Sequence, residues 1–165
     1  MSEIIFNNER DKWLNMKDTE LLKMCRCDFY IGSGRGGQKR NKTSNAVRLV
    51  HEPTGIIVTD CSGRSRETNR HNALKKLRMQ LALSVRVDAP VVPKNFNLSI
   101  NNPHYPLVAA SLLDFIHAND LQVSSAAAAL GVSTGALVKL LAKSPALWQE
   151  VNQQREQAGL SKLKG

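Results

Sequence analysis

The chain has 165 residues, 42% of them hydrophobic, which suffices for one ordinary domain or two small ones with a buried core. No stretch approaches the roughly 18 apolar residues of a membrane span. Glu3, Glu9, Arg10 and Asp11 sit where a signal peptide would be uniformly apolar, so a cytoplasmic protein is expected, with an organellar location as the alternative.

The net charge of +9 is unevenly spread: residues 1–33 sum to −1, residues 34–86 to +9 and residues 87–165 to +1. Such concentration is the footprint of a polyanion-binding segment rather than of general solubilising charge. Cys25, Cys27 and Cys61 are an odd number of cysteines without metal-ligand rhythm, suggesting neither a disulfide framework nor a zinc site.

In chain order, Asp18 is placed to cap a short helix through Leu21, Leu22 and Met24. Cys27 to Ile31 then reads as a brief strand entering a glycine-dense loop, Gly32-Ser33-Gly34-Arg35-Gly36-Gly37-Gln38. From Ala46 to His51 apolar Val47 and Leu49 alternate with Arg48. Glu52-Pro53-Thr54-Gly55 supplies turn chemistry before Ile56 to Cys61, and together these segments predict a β-hairpin. Ala73, Leu74, Leu77, Leu81 and Val85 recur at helical spacing, which predicts a helix from about Ser65 to about Val85. Arg66 and Arg70 extend that stripe toward the helix start and should emerge near the edge of the small sheet.

Pro90, Pro93, Pro103 and Pro106 make residues 88–106 a linker that cannot sustain a helix. Beyond it the apolar positions of residues 107–165 predict an all-helical unit. Within that unit Ala127-Ala128-Ala129-Leu130-Gly131-Val132-Ser133, followed by Leu137 and Leu140, has a helix-turn-helix look: Gly131 permits the turn and Ser133 caps the second helix. The expected architecture is therefore α+β, with a small sheet, hairpin and flanking helices carrying an extended loop in residues 1–87, and helices in residues 107–165.

Gly32, Gly34 and Gly37 satisfy G-x-G-x-x-G after a predicted strand, but a dinucleotide fold needs an amphipathic helix next. Gln38-Lys39-Arg40-Asn41-Lys42 has no apolar stripe, and a hairpin follows. A P-loop fails as well, because Gly37 is followed by Gln38 rather than by Lys with Ser or Thr. What remains is a side-chain-poor tip, able to bring its backbone close to a substrate without a Cβ clash, followed by basic and amide residues. Arg35, Lys39, Arg40 and Lys42 would face phosphates.

These residues carry a resemblance. From Asp28 to about Arg78 the chain resembles the catalytic domain of translational release factors and of their short homologues that rescue stalled ribosomes. The matching blocks are Gly32-Ser33-Gly34-Arg35-Gly36-Gly37-Gln38, Asn41-Lys42-Thr43, Ala46-Val47-Arg48-Leu49, Pro53-Thr54-Gly55-Ile56 and Arg64-Ser65-Arg66 with Asn69. The resemblance implies hydrolysis of the ester joining a nascent peptide to the terminal ribose of tRNA. It also implies Gly36, Gly37 and Gln38 as the catalytic segment, and an RNA-binding set of Arg35, Lys39, Arg40, Asn41, Lys42, Thr43, Arg48, Arg64, Arg66 and Arg70.

In the family the glutamine N–H stabilises the oxyanion and its side chain shapes a pocket for water. The glutamine is also a substrate for a glutamine N-methyltransferase, which makes Gln38 the modification candidate. The partners implied are the ribosome, at its large-subunit RNA and peptidyl transferase centre, and peptidyl-tRNA. Neither a metal nor a cofactor is required, and His51, His71, His104 and His117 are scattered without a partner pattern. A monomer best suits a factor that enters a tunnel.

The sequence departs from the family at Lys39-Arg40, where many relatives have an apolar residue two positions after the glutamine. Its Asn41-Lys42-Thr43-Ser44 is closer to the short rescue homologues than to full-length factors. With about 30 residues ahead of the loop, no codon-reading domain is expected, and the C-terminal residues are a poor match to the long basic tail of some rescue factors. Two other readings predict different behaviour. A non-catalytic rRNA-binding adaptor would recruit a release factor and would not need Gln38. A small transcriptional regulator would bind a DNA site through residues 107–165, which their near-neutral charge makes unexpected.

Overall fold

The computed structural model describes residues 4–32 and 44–164. In chain order the elements are β1 (Ile5–Phe6), α1 (Arg10–Asn15), α2 (Asp18–Lys23), β2 (Cys25–Tyr30), β3 (Ala46–His51), β4 (Ile57–Asp60), α3 (Arg66–Ser84) and β5 (Val85–Arg86). Four helices follow: α4 (Tyr105–Ala118), α5 (Val123–Leu130), α6 (Thr134–Ala142) and α7 (Pro145–Gln157). The architecture is α+β. Two compact units are present: Asn15–Leu81, and Met1–Leu14 together with Ala82–Gly165.

In the Asn15–Leu81 unit, β2, β3 and β4 form an antiparallel sheet in that order. The register runs from Cys25 opposite His51 to Tyr30 opposite Ala46, and from Val47 opposite Asp60 to Val50 opposite Ile57. Strand period 2 sorts the side chains of β3, with Val47, Leu49 and His51 buried and Arg48 exposed. The hairpin turn closes through the Gly55 N–H donating to the His51 carbonyl at 2.8 Å, with Gly55 at φ 69°, a left-handed conformation suited to glycine. Ala73, Leu74, Leu77 and Leu81 are buried along α3, as their spacing predicts, and Leu21 of α2 is buried too.

Two local details differ from the sequence reading. Asp18 is the first residue of α2 rather than its cap; Lys17 holds the cap position, its backbone N–H donating to the Glu20 carboxylate at 3.2 Å. Asp18 still favours the helix start through its charge, and it accepts from Arg78 at 2.9 Å. Strand β2 begins at Cys25, two residues earlier than its hydrophobic pattern indicates, because pairing with β3 extends to His51.

The second unit contains a two-residue parallel pairing, Ile5 with Val85 and Phe6 with Arg86. Its buried residues include Trp13, Leu14, Val108, Leu112, Leu113 and Ile116, with Leu137, Leu141, Leu147 and Val151 from the later helices. Helix α4 starts at Tyr105 and takes Pro106 into its first turn, where proline's missing N–H has no helical partner to lose. Helices α5 and α6 meet at 98° around Gly131 at φ 71°, and Ser133 caps α6 by accepting from the Ala136 N–H at 3.2 Å. The bend and the capped turn give this pair a helix-turn-helix outline. Ser144 caps α7 in the same way, with Pro145 as its first residue.

Arg10, Arg86 and Asp114 form a buried charged group in this unit, and sequence patterning gives no warning of it. Arg10 donates to both Asp114 oxygens at 2.7 Å and to the Val85 carbonyl at 2.9 Å. Arg86 donates to Asp114 and to the Ala110 carbonyl, each at 3.1 Å, and to the Ala82 carbonyl. Burial lowers the Arg86 pKa to about 10 against the pull of Asp114.

Candidate functional site: the stem of the Gly-Gly-Gln loop

Of the residues singled out from sequence, Arg35, Gly36, Gly37, Gln38, Lys39, Arg40, Asn41, Lys42 and Thr43 lie outside the described residues, whereas Arg48, Arg64, Arg66 and Arg70 lie within them. The ladder defines where the loop is rooted. Tyr30 ends β2, Ala46 begins β3, and the two are partners in the register. The chain therefore leaves the sheet and re-enters it on one rung of two adjacent strands, about 5 Å apart between Cα atoms.

The re-entry side is held from the first turns of α3. Asn69 is fully buried, and its amide donates to the Asn45 carbonyl at 2.7 Å and to the Gly63 carbonyl at 3.1 Å while accepting from the Gly63 N–H at 2.6 Å. Asn45 returns the bond by donating its own amide to the Arg64 carbonyl at 3.0 Å. One turn earlier, Arg66 donates from Nε to the Ser44 carbonyl at 2.8 Å and from its guanidinium end to Ser44 Oγ at 2.6 Å. The same guanidinium lies 5.0 Å from the centre of the Phe29 ring, within cation–π range.

The entry side is held by lack of space. A Cβ added at Gly32 would stand 3.2 Å from the Cβ of Cys61 and 3.3 Å from that of Ala46, a tight fit that any larger residue would relieve only by pushing its neighbours back a few tenths of an ångström. Gly63 is under the same constraint, since a Cβ there would come within 2.8 Å of Asn69 Oδ1.

Beneath the stem a buried carboxylate organises the turn into α3. Asp60 pairs with Lys76 at 2.7 Å and accepts from the Ser62 N–H at 3.1 Å and the Ser62 hydroxyl at 2.8 Å. Burial works against ionisation of Asp60, but the bonds from Lys76 and Ser62 outweigh it, and its pKa falls below the ordinary carboxylate value. Burial pushes the Cys25 thiol up to about 11 and raises Cys27 as well, so neither supplies a thiolate nucleophile at neutral pH.

On the exposed face of the sheet, Asp28 is flanked by Arg48 at 3.1 Å and Arg26 at 3.5 Å. Arg70 pairs with Glu67, and Arg64 is exposed. Of the four described arginines, then, Arg66 is engaged at the loop root, Arg48 and Arg70 are partly neutralised, and Arg64 extends into solvent.

Residues 15–92 match the family model described as the RF-1 domain. The chain is 52% identical over 56 residues to peptide chain release factor 1 of Mycoplasma pneumoniae, covering 34% of this chain and 16% of the relative. It is 55% identical over 56 residues to peptide chain release factor 2 of Caulobacter vibrioides, 34% of this chain and 15% of that protein. With peptide chain release factor 1 of Lachnoclostridium phytofermentans the match is 47% over 73 residues, 44% of this chain and 19% of the relative. The chain thus spans less than a fifth of the length of the curated relatives it matches.

Proposed function

We propose that the chain hydrolyses the ester of peptidyl-tRNA on the ribosome, a reading supported by the match of residues 15–92 to the RF-1 domain model. The observation that carries this reading is the position of Gly36-Gly37-Gln38. In sequence the tripeptide falls between β2 and β3 of the matched domain, whose facing ends Tyr30 and Ala46 share one rung and whose re-entry residues Ser44 and Asn45 are fastened by Arg66 and Asn69.

In the proposed mechanism, the RNA of the peptidyl transferase centre is already arranged for acyl transfer, and the protein admits water where an amine would attack. Water adds to the ester carbonyl carbon, and the negative oxygen that forms is met by the backbone N–H of Gln38, a donor of a kind worth about 3 kcal/mol of barrier. The bond to the terminal ribose oxygen then breaks, that oxygen leaves as a hydroxyl, and the peptide leaves as a carboxylic acid. Gly36 and Gly37 give the backbone the freedom to point that N–H at the reacting centre. The Gln38 side chain shapes the space left for water, and its methylation by a glutamine methyltransferase would narrow that space further. Arg35, Lys39, Arg40, Asn41, Lys42, Thr43, Arg48, Arg64 and Arg70 are the proposed contacts to RNA.

The proposed setting is ribosome rescue without a stop codon, on stalled ribosomes or separated large subunits, in the cytoplasm and as a monomer. Support comes from the Asn41-Lys42-Thr43-Ser44 run, closer to short rescue homologues than to full-length factors. The test is peptide release by purified protein from non-stop ribosomes and from large subunits carrying peptidyl-tRNA. Gln38→Ala and Gly37→Ala should bind ribosomes like the parent and lose release about a hundredfold or more. Release at parental rates by both variants would leave the adaptor reading standing instead.

A further inference from the structure

We propose that Arg66 is a positioning residue for the ester-hydrolysing loop: one guanidinium fastens both ends of residues 33–43, stacking on Phe29 before them and donating twice to Ser44 after them. The proposal rests on the hydrolase reading and adds to it a residue that touches neither ester nor water.

An exposed arginine ordinarily keeps the full rotamer freedom of a long, flexible side chain. Arg66 has exchanged that freedom for three simultaneous contacts, two of which need the planar fork of a guanidinium: Nε on the Ser44 carbonyl and a terminal nitrogen on Ser44 Oγ. Lysine supplies the charge without the fork.

The neighbouring constraints make Arg66 the adjustable member of the stem. Asn69 fixes Asn45 from the interior, and Gly32 packs against Ala46 and Cys61 without spare room. Ser44 is the first described residue after the loop, six positions from Gln38. Of the two loop-side ties, the Asn69 bond holds the sheet end and the Arg66 bond holds the residue beyond it. Loss of the outer tie frees the last stem residue while the sheet stays intact. A displacement of about 1 Å at the reacting centre costs about a hundredfold in rate without altering the contacts that bind the factor.

The experiment is single-turnover peptide release by the full chain on stalled ribosomes, giving maximal rate and half-saturating concentration for Arg66→Lys, Phe29→Leu and the double variant, with thermal melts of each. Arg66→Lys is expected to lower the maximal rate about ten- to a hundredfold, with half-saturation, its salt dependence and the melting temperature close to the parent. Phe29→Leu is expected to lower the rate less, and the double variant to fall short of the product of the two single effects, because both break one bridge.

A parental maximal rate for Arg66→Lys overturns the proposal. So does a loss that appears in half-saturation instead of rate: with Arg66→Ala, a salt slope reduced by about one would mark Arg66 as a phosphate contact. A rate loss that follows a lowered melting temperature and recovers on cooling marks a purely structural role and overturns it too. If the parent protein binds ribosomes and releases no peptide, the hydrolase reading itself falls, and this proposal with it.

Discussion

Asn69 shows how much one buried amide can organise: two donated bonds and one accepted bond tie Asn45 to Gly63 across the start of α3. Asn69→Ala leaves those backbone groups without their partner in a part-buried site, and a loss of about 2–3 kcal/mol is expected in chemical denaturation. Asn69→Asp keeps the acceptor for the Gly63 N–H but faces two carbonyls with negative charge, so it should be at least as damaging. Asp60 and His51 give the pH dependence at the same scale. Each is held below its ordinary value, 3.8 for Asp60 and 6.5 for His51, His51 through burial. A depressed folded-state pKa stabilises the fold above the ordinary value and loses that contribution as pH falls through the folded value. Denaturation midpoints measured from pH 8 to pH 3 should therefore decline first below about 6.5 and again below about 3.8. Lys76→Met should flatten the second decline by removing the ion pair to Asp60. The sequence did carry a trace of this site: Asn69 stands four residues before Ala73 and eight before Leu77, on the apolar stripe of α3. A polar residue on a buried stripe signals a partnered amide, although nothing in the pattern says that the partners are Asn45 and Gly63.

Elements whose side chains repeat a simple period were legible. The helix expected from Ser65 to Val85 is α3, Arg66–Ser84, and the hairpin is β3 and β4 within a residue of the expected ends. Punctuation by single residues was equally clear at Gly131 and Ser133, since left-handed backbone and a hydroxyl cap each have a local cause. Ser133→Ala is expected to cost about 1 kcal/mol, measurable as a lowered denaturation midpoint of the full chain. What escaped the sequence is short or non-local. Strands β1 and β5 have two residues each, too few for any alternation, and α1 has six, less than two turns. Their identity depends on partners some 80 positions away in sequence.

For the whole molecule, charge placement has two separate consequences. The excess of +9 in residues 34–86 should make the proposed ribosome association steeply salt-dependent, and log affinity plotted against log salt should show a negative slope that Arg64→Ala or Lys39→Ala reduces by about one. Inside the second unit, charge acts on the fold: Asp114 is the carboxylate shared by Arg10 and Arg86, and all three are buried. Asp114→Ala leaves Arg86 without its carboxylate and Arg10 with Asp11 alone, and should cost about 3–5 kcal/mol, whereas replacing Arg10, Arg86 and Asp114 by apolar residues of similar volume should be close to neutral in the same denaturation assay.

The discontinuous composition of that unit bears on the chain's own birth. Residues 15–81 form a contiguous stretch that a ribosome delivers in one run, but Ile5 and Phe6 must wait for Val85 and Arg86 to emerge before they can pair. At ordinary elongation rates of about 5–20 residues per second, the opening strand spends several seconds unmatched. The nested sheet therefore matures first during translation, and the leading segment is captured only afterwards, by chain made later.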